Sequence, residues 1–236
     1  MFSLVLKIHI AAAVLSALCF WLPIAVAKGG NAHKKLGFVY VFLLFVTSTT
    51  AIALLILTSD ATARPATARM PLDHYAGDPV LYRAFQGFLG YVAFATFSAA
   101  ITGLQALKHR ARAVLAQTVF HGLVAVGGLA VVLQGFRHGV TPMIAVGAAG
   151  ALLGVCSIKV ARTLERDRNA RWNGHILGMI ASGIGAYSAL AIVLANRMAP
   201  EFFHGEAGVV VWLIPATIGV PAMLWAMKRY AARGDA

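Results

Sequence analysis

Seven stretches of this 236-residue chain contain no Asp, Glu, Lys or Arg, and nothing else in it constrains the fold as tightly. Read from one charge to the next they are Ile8–Ala27, Leu36–Ser59, Ala84–Leu107, Ala113–Phe136, Gly139–Ile158, Trp172–Asn196 and Ala207–Met227, each 20 to 25 residues long. A helix rises ~1.5 Å per residue, so about 20 apolar residues cross a hydrocarbon layer of ~30 Å. The spacing predicts an all-α integral membrane protein, a seven-transmembrane-helix bundle. Its helices are expected over about 4–27, 36–59, 82–107, 113–136, 139–162, 171–196 and 207–229. Only 12% of the residues are charged, against roughly 25% in a soluble domain, and the mean hydropathy is +0.78. A soluble fold has no place for such a surface.

Orientation follows from the basic residues. Fourteen of the 20 Lys and Arg fall at one set of helix ends: Lys28, Lys34 and Lys35, then Lys108 to Arg112, Lys159 to Arg171, and Lys228 to Arg233. The other ends hold Lys7, Arg64, Arg69, Arg83, Arg137 and Arg197. Basic residues stay in the cytoplasm, which implies an N-terminus outside and a cytoplasmic C-terminus. Ala25-Val26-Ala27 resembles a signal-peptidase site, but a cleaved signal would enter with the opposite polarity. The first helix is therefore expected to be retained. The net charge of +12 is read as a collar against anionic lipid head groups, with the lipid bilayer as the chief partner. No soluble basic face with interleaved aromatics exists for nucleic acid, so none is expected as a partner. Membrane-protein partners remain open.

Short connections imply a single transmembrane domain over 1–236. The exception is a periplasmic excursion at 60–81, with Pro65, Pro71 and Pro79, read as irregular with a short interfacial piece near Met70–Tyr75. The inner stretch "RTLERDRNAR" reads as a helix extension into water. Small residues four apart (Ala99 and Gly103, Gly150 and Gly154, Gly174 and Gly178) predict close interhelical seams. Pro215 and Pro221 predict a kinked seventh helix. Cys19 and Cys156 lie inside spans and read as small packing residues.

Helices two, four and six each carry a histidine near the inner end with a glycine soon after: His33, His121 and His175. Counted from the nearest inner charge, His175 lies roughly 6 Å deep and His121 roughly 13 Å. His175, Met179 and Ser182 share one helical stripe, and Gln117 and His121 share another. His9 and His138 are the outer-side candidates. Imidazoles and amides at this depth find no partner in lipid, so these faces are expected to point inward and form a ligand site in the cytoplasmic half. Several readings stay open. The polar groups form interhelical hydrogen bonds; or they hold haem b, a quinone or another lipophilic ligand; or three inner histidines hold a metal, with no carboxylate or thiolate to help. Transport is disfavoured because no span carries a carboxylate. The run Thr47-Ser48-Thr49-Thr50 reads as hydroxyls bonding back to their own helix. No catalytic motif for hydrolysis or phosphate transfer is present, and the seventh helix has no internal lysine for retinal.

The opening "KIHIAAAVLSALCFWLPIAVAKGGNAHKKLGFVYVFLL" resembles bacterial predicted membrane proteins with the 2306-type domain of unknown function. His9 and "HKKLGFVY" (His33 to Tyr40) carry the likeness, with Lys34 where that family usually has Arg. "FQGFLGYVAFATFSAAITGLQALKHR" is similar in character to its next helix, and "RWNGHILGMIASGIGAYSA" resembles a Trp-x-x-His-x-x-x-Met helix of related predicted proteins. The resemblance covers roughly the first half of the chain. It implies a multi-pass protein of the bacterial inner membrane and brings no activity.

A reporter enzyme that is active only in the periplasm, fused after Ala236, is expected to stay silent. A strong signal would reverse the topology.

Overall fold

A computed structural model describes residues 1–58, 77–107, 111–163, 168–198 and 206–231. Seven helices account for nearly all of them: α1 (Phe2–Ala25), α2 (Asn31–Leu57), α3 (Pro79–Gln105), α4 (Ala111–His138), α5 (Thr141–Thr163), α6 (Arg168–Met198) and α7 (Glu206–Ala231). All seven are long and apolar enough to cross a membrane. Their outward faces carry large apolar side chains, with Phe38, Leu115, Val126 and Ile218 each more than 60% exposed. In water such faces would cost about 25 cal/mol per Å² of apolar surface, whereas acyl chains accept them without penalty. The chain has the build of a multi-pass membrane protein.

The helices outrun the uncharged stretches. α2 begins at Asn31, five residues before the expected Leu36, and α6 begins at Arg168 rather than near Arg171. Charges mark where hydrocarbon ends, but the hydrogen-bond ladder runs on into the head-group layer. α3 starts at Pro79, inside the segment read as an irregular excursion. Asp78 explains it: its Oδ1 accepts from the backbone N–H groups of Val80 and Leu81 at 2.9 and 3.0 Å. An aspartate cap followed by proline at the first helical position is a strong start signal. The rest of the excursion, with Met70–Tyr75, and the centre of "RTLERDRNAR" lie outside the described residues.

Where a single domain was expected, the contacts divide the chain into two compact units, Met1–Ala93 and Phe94–Ala236, with the boundary inside α3. In the first unit α1 and α2 form an antiparallel hairpin. Gly29, at φ +79°, supplies the left-handed residue in its turn. Phe20 meets Tyr40 edge-on with ring centroids 5.5 Å apart, and Tyr40 is fully buried. The N-terminal half of α3 closes on the end of α2. The Tyr82 hydroxyl donates to Thr58 O at 3.0 Å, and the Gln86 amide donates to Thr58 O at 3.0 Å and Leu55 O at 3.3 Å.

In the second unit α4 turns into α5 through Gly139, at φ +66°. The Val140 N–H donates to Gly135 O at 2.9 Å and the Gly139 N–H to Phe136 O at 3.4 Å, the paired bonds of a Schellman ending. Glycines then set how closely the helices approach. A Cβ built at Gly154 would lie 2.7 Å from His121 O and Ala125 N, and one at Gly147 would lie 2.7 Å from Gly128 O. Across α3 and α6, a Cβ at Gly178 would come within 2.5 Å of Ala99 O and of the Gly103 Cα. The expected seams at Ala99/Gly103 and Gly174/Gly178 therefore meet each other, antiparallel, at Gly103 and Gly178. Thr96 packs on Gly185 two turns along in the same register. α7 carries Pro215 and Pro221, and the Ser188 hydroxyl of α6 donates to Trp212 O at 2.8 Å.

Gly178→Ala is expected to destabilise the protein by roughly 1–3 kcal/mol, because the obstructing atoms are backbone and only separation of α3 from α6 relieves them. Gly122→Ala, at a position with nothing within 4 Å, is expected to be neutral or slightly stabilising. Thermal unfolding in detergent checks both.

Candidate intramembrane site

Among the described residues, histidines occur in two different settings. In the first, the ring binds a carbonyl oxygen of a neighbouring helix. His9 on α1 donates from Nδ1 to Thr47 O of α2 at 3.1 Å and lies 3.1 Å from the Thr50 hydroxyl. His33 on α2 donates to Pro23 O of α1 at 2.9 Å. His175 on α6 donates to Gly103 O of α3 at 2.9 Å. A carbonyl only accepts, so Nδ1 carries the proton in all three. Pro23 and Gly103 lie among the last four residues of their helices, whose carbonyls lack an intrahelical N–H. His33 and His175 supply the donors that these two carbonyls lack. Lys28 adds further bonds at the end of α1, to Pro23 O at 3.0 Å and Val26 O at 3.3 Å. The hydroxyls of Thr47 and Thr50 bond back to Leu43 O and Val46 O of their own helix, as expected.

The second setting is that of His121. This side chain is 8% exposed and makes no hydrogen bond among the described residues. It lines a cavity between α3, α4, α5 and α6 together with Thr102, Gln117, Ser157, Gly174 and Gly178, and the remaining lining is alanine, valine and leucine. Gln117 is 2% exposed, and its amide nitrogen Nε2 is buried with no partner. Thr102 has spent its hydroxyl proton on Ser98 O at 2.7 Å, which leaves its oxygen as an acceptor. No charged side chain lines the cavity. Among the described residues the other buried atoms without a partner are Ser98 Oγ, Gln105 Oε1 and Asn173 Oδ1, all in this second unit.

The structure thus brings Gln117 and His121 together, and His175, Met179 and Ser182 of the same unit do not line their cavity. His175 sits beside the cavity wall but points its Nδ1 at α3. Ser182 is fully buried and donates to Met179 O at 2.8 Å, within its own helix. Neither Met179 nor Ser182 lines the cavity. His33 and His9 belong to the first unit, and His138 ends α4 next to the Gly139 turn. Sequence reasoning missed Thr102 and Ser157. Hydroxyls are common in spans, and only the neighbour that each meets marks it as part of a site. No group of three His, Cys, Asp or Glu side chains among the described residues could hold a metal ion.

Of the two imidazoles expected to face a haem, only His121 lines the cavity. The cavity gives the centre of a water molecule about 20 Å³ in which to move, where one water needs ~10–15 Å³. A porphyrin held by both His121 and His175 would have to part α4 from α6 and take His175 from the Gly103 carbonyl to which it donates. No protein-family model matches the chain, and no curated protein or solved structure is detectably similar to it.

His175→Ala is expected to cost about 0.6–1.7 kcal/mol by orphaning the Gly103 carbonyl, and to leave the His121 cavity in place. Loss of stability several-fold larger would mean that His175 holds more than this bond.

Proposed function

We propose that this chain is a multi-pass protein of the bacterial inner membrane, with its N-terminus outside and its C-terminus in the cytoplasm. Its second unit binds a small lipophilic ligand through one polar end. The basic residues at alternate helix ends support the orientation. The 2306-type resemblance of His9 and "HKKLGFVY" belongs to the same proposal.

The observation that carries the binding reading is the Gln117 amide nitrogen, buried without a partner in a cavity it shares with His121. A buried donor left unmade costs about 1–3 kcal/mol. The ligand that would satisfy this donor presents an acceptor oxygen, as a quinone carbonyl, an ester or an alcohol does. The cavity takes the oxygen and its immediate neighbours. Haem b is not part of this reading.

A second reading is favoured by a different observation. His9, His33 and His175 all donate to carbonyls of neighbouring helices, as expected of a non-catalytic structural or accessory subunit. Gln117→Met separates the two. On the binding reading, extraction and mass spectrometry of the purified wild type recover an oxygen-bearing amphiphile at about one per chain. The variant loses it while its delipidated form melts no lower than the wild type, since an unpaired amide has been removed. If no amphiphile is recovered and Gln117→Met lowers the melting temperature, the structural reading replaces this one.

A further inference from the structure

The partnerless buried side-chain atoms among the described residues are Ser98 Oγ and three amide atoms of opposite kinds, of which only Gln117 lines the cavity. Gln117 Nε2 is a donor without an acceptor, whereas Gln105 Oε1 and Asn173 Oδ1 are acceptors without donors. Their positions form a series. Thr102 and Gly174 line the cavity. Gln105 lies three residues past Thr102, a rise of ~4.5 Å, and Asn173 immediately precedes Gly174. The antiparallel register of α3 and α6, set by Gly103 against Gly178 and by His175 on Gly103 O, puts Gln105 and Asn173 at the same end. α4 starts at that end too, with Gln117 six residues into the helix and His121 one turn deeper.

A carbonyl-bearing ligand could accept from Gln117 but has nothing to donate to Gln105 and Asn173. An apolar tail serves none of them. Water is the one small species that both donates and accepts in whatever direction it is asked, and the cavity has room for one or two molecules. We propose that the niche is hydrated from the end where α3 stops and α6 begins. Water passes Gln105 and Asn173 to reach Gln117 and His121, and the outer half of the second unit stays dry. This rests on reading the Gln117–His121 niche as a site. It deepens that reading by placing an aqueous supply beside the bound oxygen, so that His121 faces water from one side of the membrane only. His121 is the one ionisable side chain that lines the cavity.

The test uses the ionisation of cysteine, since a thiol reacts with silver ion as the thiolate and needs water to form it. In full-length protein carrying Cys19→Ser and Cys156→Ser, Thr102→Cys and Ser157→Cys place thiols in the niche. Leu123→Cys places one on the outward face of α4, two residues beyond His121, where the native side chain is 54% exposed. Oriented membrane vesicles are treated with silver ion on one side, and the remaining thiol is counted with a maleimide after unfolding. Thr102→Cys and Ser157→Cys are expected to be blocked at least tenfold faster than Leu123→Cys, and only from the side that bears the C-terminus. Equal rates for all three, or blocking from the opposite side, overturn the proposal.

Radiolytic hydroxyl-radical labelling of the unsubstituted protein avoids any dependence on how the variants fold. Oxidation of His121 and Leu177 above the level of Leu123 supports a wet niche, and none at either residue overturns it. A wet niche in protein that yields no amphiphile would sink the ligand reading and keep this one. A dry niche with a bound amphiphile would do the reverse.

Discussion

A carbonyl oxygen in the last turn of a helix has no N–H of its own ladder to accept from, and this constraint organises much of the chain. Where the ladder of α1 runs out, His33 and Lys28 supply donors. Where α2 runs out, Tyr82 and Gln86 do. At the end of α3 the donor is His175, 72 residues away in sequence. Each bond is worth only ~0.6 kcal/mol by comparison with other membrane helices, too little to drive association alone. Its importance lies in leaving no carbonyl unsatisfied where a helix ends. The histidine that looks most like a ligand in the sequence is thereby committed to a neighbouring backbone.

Close packing carries what these bonds cannot. With lipid tails as apolar as leucine, helices gain little by hiding apolar surface from them, and dispersion between tightly fitted backbones takes over. Glycines at 103, 147, 154 and 178 each face backbone atoms at distances no side chain tolerates. Polar groups then sort themselves by whether such packing leaves them a partner. Ser188 and Ser182 find carbonyls at 2.8 Å. Gln117 does not.

Much of this was legible beforehand, and the rest failed for definite reasons. Uncharged runs give the seven helices because the bilayer fixes their length. They misplace the ends of α2, α3 and α6, because the ladder continues past the charges and because Asp78–Pro79 is a helix cap as well as a loop signal. The stripe of Gln117 and His121 was readable as an inward face, since both lie on one side of a single helix. The stripe of His175, Met179 and Ser182 was equally readable and misled. Its partner is the Gly103 carbonyl, and a backbone oxygen leaves no mark in the sequence. Small-residue spacing located both halves of the α3–α6 seam, but spacing within one helix cannot name the other. Thr102 and Ser157 came to light only once four helices were side by side.

The Schellman turn at Gly139 has a mechanical consequence. Two residues join α4 to α5, so neither helix can slide along the other, and Gly135, Gly147 and Gly154 pin them at three levels. The pair behaves as one stiff plate. α3 and α6, fastened at Gly103–Gly178 and Thr96–Gly185, make a second plate. The cavity lies between the two, with His121 and Ser157 on one wall and Thr102 and Gly174 on the other. Neither wall can bulge by itself, so any increase in volume must come from the plates parting along their length. The space gained in that way is a slot rather than a sphere, narrow across and long along the helices.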